Sequence, residues 1–528
     1  MKKQTIYEIV TWIIIFIFML YFLNYVYSAY AFVSDSLLKV IQGYSLIRNH
    51  FASEILFNPA RSLDPQFQYY LFQPPMLVKL SDKYLGQYPV FFSFIITPFI
   101  YLSLTKYLSY VTSAIFLLFL YILKKAWNLS IWFLLFSFLG TYYVLMSLDV
   151  SEHSTLIFLN IVGTTLILKG IEPKKSLQIF GGSLIIGIST WLRLEPILFM
   201  FSFFIGILLA YGWNSKETQK IIFIILLGCS LGVLALFLFN FVDYGHPLGP
   251  RFFQNYSSEM TPISERFRRF FVLSFWGYYK IGFFTYLPIF LVVILYFTKP
   301  SRYKILSPHL KSLFISSLIF IPIVGLLAPN DGVTNIGPRY LSLAIFPMIL
   351  LTQEFWKNAF SKTDNLKSKS LKYFSVFTMV ISLFFTFLGI NLYRIATKQL
   401  KNYQTSFRSS KADIWIFSNK SLCGAVGLEY FEHKILCVST AKDMESLLPL
   451  LRKQEKNKKV AFFNMSAEAL KLLHSNQQNS SIQGEMSNFA MSKEGDSEEI
   501  KNILSSNFSY IGNGEKNSIR YDIYLISN

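Results

Sequence analysis

Charge is scarce in this chain. Only 15% of its 528 residues are Asp, Glu, Lys or Arg, while 53% are hydrophobic. Acids are scarcest, with 30 Asp and Glu against 49 Lys and Arg. That balance excludes a soluble globular domain, which could not bury so much apolar surface. Histidine is also rare, and the six present show no His-Glu-x-x-His spacing, which excludes a zinc helix of that kind. Three cysteines do not make a disulfide framework. Cys229 lies in an apolar run and reads as packing. Cys423 and Cys437 can pair if their region lies outside the cytoplasm, but two cysteines do not establish a bond. No internal repeat of the inverted-transporter kind is present.

What is abundant is aromatic and apolar. The chain holds 54 Phe and 32 Tyr. Several apolar runs are long enough to cross roughly 30 Å of hydrocarbon. The expected fold class is a polytopic α-helical membrane protein with about eleven transmembrane helices. The runs are 6–32, 107–123, 131–148, 155–168, 177–191, 197–211, 221–241, 282–297, 313–327, 340–351 and 373–392. The first run offers a cleavage-like "SAYA" at 28–31. It is much longer than a signal-peptide core, so an uncleaved first helix is expected.

The formal net charge is +19. In a soluble protein this would suggest nucleic acid as a partner. Here the positive-inside rule accounts for it, and no nucleic-acid partner is expected. With the N-terminus in the cytoplasm, one set of loops carries Lys124 and Lys125, then Lys169, Lys174 and Lys175, then Lys216 and Lys220. The set continues with Lys299, Arg302 and Lys304, and with Lys357, Lys362, Lys367 and Lys369. The opposite loops begin at Ser34, Asp149, Arg193, Asp243 and Asn330. The apolar stretch 88–104 would invert this pattern if it crossed. It is expected to be a re-entrant or interfacial helix on the outer side, with Pro89 and Pro98 limiting its ends. A twelve-span chain is the rival arrangement.

Two domains are expected. Residues 1–394 would form the transmembrane catalytic domain, with a first extracytoplasmic loop at 33–88 holding two amphipathic helices. Residues 395–528 would form a small extracytoplasmic α/β domain. Its strands are expected in "KADIWIFS", "HKILCVST" and "KKVAFFNM", and its helices in "AKDMESLLPLLRKQ" and "AEALKLLHS". Residues 475–499 are expected to be a loose polar insert. A closing hairpin is expected to turn across Gly512-Asn513-Gly514.

The outer helix mouths gather the groups that could carry chemistry. They are Asp35 in "SDSLLKVIQGYSL", Asp149, Glu152 and His153 in "SLDVSEHSTL", and Arg193 and Glu195 in "TWLRLEPILF". "DYGHPLGPRFF" adds Asp243, His246 and Arg251, "FWGYYKIGFF" adds Lys280, and "PNDGVTNIGPRYL" adds Asp331, Arg339 and Tyr340. A carboxylate there can act as general base on a hydroxyl or amine. Arginines can hold a phosphate leaving group. Each residue also has a plain structural reading. Asp35 can cap the helix that follows it, Arg193 and Glu195 can be an ion pair between helix ends, His153 can bond a helix end, and Arg339 can be an interfacial anchor. The aromatics around Lys280 can be ordinary interfacial ones.

In order and sidedness these stretches resemble the GT-C superfamily of membrane glycosyltransferases, in its polyprenyl-phosphate-sugar-dependent, protein-mannosyltransferase-like branch. The resemblance spans roughly residues 1–350. It implies that Asp35 is the catalytic base, with Ser36 standing where a second acid often follows. It implies that Glu152 is the acid of the second outer loop, and that Arg193-Leu194-Glu195-Pro196 is similar to an Arg-Pro-Glu-like element. "YGHPLGP" and "GPRYLSLAIFP" are similar to later elements of the family, and "YPVFFSFIITPF" to the segment that closes its first outer loop. The implied substrate-binding residues are His153, Arg193, Glu195, Arg339, Tyr340, Lys280 and Arg251.

The implied activity is hexosyl or pentosyl transfer from a polyprenyl-phosphate sugar donor to an extracytoplasmic lipid, glycan or protein acceptor. The implied location is the inner (cytoplasmic) membrane, with the C-terminal domain in the periplasm. No metal or other cofactor is expected. A divalent ion on Asp35, Asp149 and Glu152, as another branch would use, is the alternative. The competing functions are an O-antigen polymerase or ligase, a transporter of lipid-linked sugar, and a scaffold whose C-terminal domain acts.

Overall fold

The computed structural model describes residues 3–212, 215–250, 262–277, 280–330, 337–360, 366–465 and 496–527. The chain divides into two compact units. The first comprises 1–25, 88–92 and 107–393, and the second comprises 26–87, 93–106 and 394–528. The stretch 26–87, expected to belong with the helical domain, therefore groups with the C-terminal residues instead.

The first unit is a bundle of apolar helices. In chain order they are α1 (Lys3–Tyr25), then α2 (Ser34–Arg48) and α3 (Val90–Tyr101), which contribute to the second unit, and then α4 (Leu108–Trp127). Next come α5 (Ile131–Leu139), α6 (Tyr143–Leu148), α7 (His153–Ile171), α8 (Ser176–Ser189), α9 (Glu195–Tyr211) and α10 (Lys216–Tyr244). The rest are α11 (Ile263–Ser274), α12 (Pro288–Phe297), α13 (Pro308–Leu327), α14 (Ile345–Phe360) and α15 (Leu366–Ser409). Among the described residues, 6 helices are long and apolar enough to cross a membrane, and they include α1, α4, α7, α10, α13 and most of α15.

Several expected boundaries move, each for a local reason. The run 131–148 is two helices, because Gly140 ends α5 and a turn intervenes. The run 282–297 is interrupted at Leu287, and α12 starts afresh with Pro288 at its first position, where a missing N–H costs nothing. The run 340–351 opens as a 3-10 turn, Arg339–Ala344, before α14. The last helix has 44 residues and continues past 395, where the α/β domain was expected to begin. The helix α3 spans 12 residues; Pro98 lies inside it, not at its end.

Contacts between helices fix their directions. Lys125 near the end of α4 pairs with Glu8 near the start of α1 at 2.9 Å, and Tyr110 donates to Asn24 at 3.4 Å. The end of α1 and the start of α4 therefore lie at the same end of this unit. α7 and α8 run antiparallel: Asn160 donates to Ser189, and a Cβ on Gly163 would lie 2.6 Å from the Gly182 carbonyl. α8 and α10 run parallel, with Gly187 against Cys229 and Gly232. Such small residues let backbones touch, which replaces the hydrophobic drive that is absent between helices in lipid. At one end of the bundle Lys174 pairs with Glu217 at 2.5 Å and His309 lies 3.2 Å from Glu172. At the other end lie the starts of α7 and α9.

The second unit is built on a five-stranded sheet. Its strands are β3 (Ile414–Phe417), β4 (Lys434–Cys437), β5 (Lys459–Met465), β6 (Ser509–Lys516) and β7 (Ile519–Leu525), following a separate hairpin of β1 (Leu77–Leu80) and β2 (Lys83–Gly86). The order is β4-β3-β5-β7-β6. The β4-β3 and β3-β5 pairs are parallel, the others antiparallel. Ile414, Leu436, Val460 and Phe462 pack with Leu447 of α16 (Ala441–Gln454) and Leu504 of α17 (Ser497–Asn507).

The closing hairpin turns at Asn517-Ser518, not at Gly512-Gly514. Both turn residues have positive φ, 50° and 63°, the geometry of a two-residue hairpin loop. The glycines sit inside β6, beside a bulge between Tyr510 and Gly512. α17 occupies the end of the stretch expected to be loose, while "AEALKLLHS" lies outside the described residues.

The stretch 26–87 holds one helix and one hairpin instead of two amphipathic helices. Ala60, Leu63 and Tyr69 join the sheet's core. The Tyr69 carbonyl accepts from the Cys437 amide at 2.9 Å, and Tyr430 donates to the Phe57 carbonyl at 2.6 Å. Cys423 and Cys437 form a disulfide.

Candidate functional site

A buried charge cluster lies at the ends of α7 and α9. Glu152 and His153 stand where α7 begins, and Glu195 opens α9 with Pro196 behind it. Arg193 lies in the turn between α8 and α9 and is only 3% exposed. Its Nη1 donates to Glu152 Oε1 at 2.9 Å. Its Nε and Nη2 both donate to Glu195 Oε1, at 2.9 and 2.6 Å. His153 Nε2 lies 3.4 Å from Arg193 Nη1. A guanidinium only donates, so this contact uses the Nε2 lone pair and leaves the ring proton on Nδ1.

The cluster extends to Arg339 and Tyr340. The guanidinium carbons of Arg193 and Arg339 lie 5.4 and 5.5 Å from the Tyr340 ring centroid. The Tyr340 hydroxyl donates to Asn330 Oδ1 at 2.8 Å. Residues far apart in sequence (152–153, 193–195, 330 and 339–340) thus meet at one end of the bundle. Burial disfavours the Arg193 charge, but Glu195 and Glu152 outweigh it, so the guanidinium stays cationic. A carboxylate clamped on a guanidinium is a weak base. Glu152 holds Arg193 through its Oε1. Arg339 is half-buried and is the more accessible arginine of the two.

The other expected residues are placed as follows. Asp35 belongs to the second unit, in the first turn of α2, and is half-buried. Ser34 Oγ donates to its Oδ1 at 3.3 Å. Val33 holds the N-cap position of α2 without a side-chain cap bond, and Asp35 is the second residue of the helix. A carboxylate in a first turn suits the positive end of the helix dipole. Lys280 pairs with Gly277 in a two-residue ladder, Trp276–Gly277 against Lys280–Ile281. Asp149 is half-buried at the end of α6, Asp243 is exposed, and the His246 ring accepts from the Leu248 amide at 3.2 Å. Arg251 and Asp331 lie outside the described residues.

Sequence reasoning passed over three groups. Asn330 anchors Tyr340, and only its place beside Asp331 signalled it. Lys39 is 3% exposed on α2, one turn beyond Asp35. Asp64, 2% exposed in the 26–87 stretch, accepts from the Gln68 and Tyr69 amides at 2.7 and 3.0 Å. Burial pushes its carboxyl up to about 6, against the pull of those two amides. In the second unit Glu429, Glu432 and His433 bring ligand-type atoms within 4.8 Å of one another. Arg408 already donates to Glu429 there, which disfavours a cation. No family model matches the chain, and no curated protein matches it.

Proposed function

We propose that this chain is a membrane glycosyltransferase of the GT-C type, moving a sugar from a polyprenyl-phosphate donor to an extracytoplasmic acceptor. The observation that carries this reading is the buried Glu152–Arg193–Glu195 triad, joined through Tyr340 to Arg339, at one end of an apolar helix bundle. Ionised groups in such surroundings are costly and are kept chiefly for function. The reading takes the bundle as eleven passes, with the lysine-rich end in the cytoplasm of a cell with an inner membrane. The Cys423–Cys437 bond is in keeping with an oxidising compartment, here the periplasm, for the second unit.

The base role rests on the family resemblance, which implies that Asp35 takes the proton of the acceptor hydroxyl or amine. The freed lone pair attacks the anomeric carbon, the bond from that carbon to the phosphate oxygen breaks, and polyprenyl phosphate leaves with the bonding electrons. Arg339 meets the charge that develops on the phosphate. Arg193, held by two carboxylates, keeps Tyr340 and through it Arg339 in place.

The test is complementation of a deletion strain, with surface glycans compared at matched membrane levels. Asp35→Asn is expected to lower transfer by about 10²–10⁴-fold, the usual worth of a general base. Arg339→Ala is expected to lose transfer while leaving the melting temperature unchanged. Full activity in Asp35→Asn would refute the assigned base.

A further inference from the structure

Helix α11 carries an apolar stripe that is exposed among the described residues. Ile263, Phe267 and Phe271 follow one another at four-residue spacing and are 74%, 58% and 49% exposed. Trp276, 65% exposed, lies against Phe271 with ring centroids 6.3 Å apart and extends the stripe. At 100° per residue, half-buried Arg266 falls on one border of the stripe and exposed Arg268 on the other, where Arg268 also donates to both carboxylate oxygens of Glu265 at 2.7 Å.

The remaining side of the helix, from Phe270 at the edge of the stripe round to Val272, is seated on protein. Val272 and Leu273 are buried. Phe270 lies over Gly325, and Arg269 donates to the Pro329 carbonyl at 2.6 Å. Both contacts are at the end of α13, one of the helices long and apolar enough to cross a membrane. α11 therefore lies where a crossing helix ends. The outward surface of α10, with Leu238, Phe241 and Val242 60–80% exposed, stops at the same end of the bundle.

From this geometry we infer that α11 lies in the membrane surface and binds anionic phospholipid, with its Phe and Trp stripe among the acyl chains and Arg266 and Arg268 on headgroup phosphates. The occupant is lipid because the stripe lies at the end of the bundle where the crossing helices α10 and α13 stop, and because Arg266, Arg268 and Arg269 outnumber Glu265, the one acid of α11. A helix with an aromatic face and arginine borders has the composition that inserts just below the headgroups. Arginine stems reach along the apolar face while their charged ends meet phosphate. The inference does not depend on the transferase reading.

The test uses the full chain in vesicles. Cys229 is buried and the other two cysteines are bonded, so a Phe267→Cys variant takes a thiol-reactive NBD dye at that position alone. Nitroxide on the acyl chains should quench the dye, and aqueous iodide should not. At equal mole fraction, nitroxide-bearing phosphatidylglycerol should quench at least about two-fold more than the phosphatidylcholine equivalent. Arg266→Gln with Arg268→Gln should bring the two lipids level, while the exposed Arg452→Gln should change nothing. Arg268→Gln alone, on the outer face, gives a partial loss and leaves Arg269 its own bonds to Glu265 and to the Pro329 carbonyl at the end of α13. Free quenching by iodide would place the stripe in water. Protection from both quenchers would place it under protein. Equal quenching by the two lipids in the unmodified helix would remove the arginine role. Any of these three overturns the proposal.

Discussion

Glu152 in the helical unit and Asp64 in the sheet-bearing unit are equally buried, each 2% exposed. They are held differently. Glu152 has a guanidinium against it, so its charge is compensated where it stands. Asp64 has two backbone amides, and burial still outweighs them. In the helical unit a buried acid comes with a cation, as apolar surroundings demand. In the other unit Glu429, Glu455 and Asp522 are also buried beside cations, whereas Asp64 organises a turn on backbone amides alone, and its charge becomes a liability as pH rises. The same residue chemistry thus serves a fixed ionic cluster in one place and a pH-dependent tie in the other.

Removing the cation tests the first half of that contrast most severely. Arg193→Met leaves two carboxylates facing each other in apolar surroundings, and should cost about 3–5 kcal/mol. Thermal unfolding in detergent should show it, and Glu152→Gln with Glu195→Gln should recover part of the loss. A melting temperature unchanged by Arg193→Met would mean that water reaches the cluster.

The next effect lies in the second unit. Its disulfide closes a loop of sequence separation 14, so Cys423→Ala with Cys437→Ala should lower that unit's stability by about 3 kcal/mol. Limited proteolysis of the sheet-bearing unit reads this directly. The wild-type chain should also show no free thiol at either position.

Asp64 sets the third effect. Its folded pKa, about 6, lies above the ordinary value of 3.8. Its contribution therefore favours the fold below pH 3.8 and is lost as pH rises through 6. The second unit should unfold more readily at pH 7.5 than at pH 4.5, by on the order of 2 kcal/mol from this group. Asp64→Asn should flatten that dependence, and an unchanged slope would assign it elsewhere.

The smallest effect is expected at Lys401, whose ammonium lies 4.7 Å from the Tyr27 ring centroid and 5.4 Å from that of Tyr30. Lys401→Met should cost about 0.5–1 kcal/mol, measured on the isolated transition of the second unit.

Much of this architecture was legible in the chain. Apolar runs mark the helices because lipid accepts little else, and lysines mark one end of the bundle. Short apolar runs bounded by polar residues mark β3, β4 and β5. The polar groups at the helix mouths were visible too, as Glu152-His153 and Arg193-x-Glu195. Their meeting was not visible, because Arg193 and Glu152 are 41 positions apart and only the antiparallel packing of α7 and α8 joins them. The hairpin turn was misplaced because two glycines outweighed Asn517-Ser518 by local preference, while the pairing of β6 with β7 fixes the register.

By itself, then, the amino-acid order determined what must avoid water, which end of the bundle is basic, and which residue types stand at the other end. Those follow from transfer energies and local propensity, which act residue by residue. Only the tertiary structure decided that Arg193 is shared between two carboxylates, that Asp64 is enclosed, and that the 26–87 stretch completes the core beside β4. Each depends on groups brought together from distant parts of the chain, where burial changes what a charge costs.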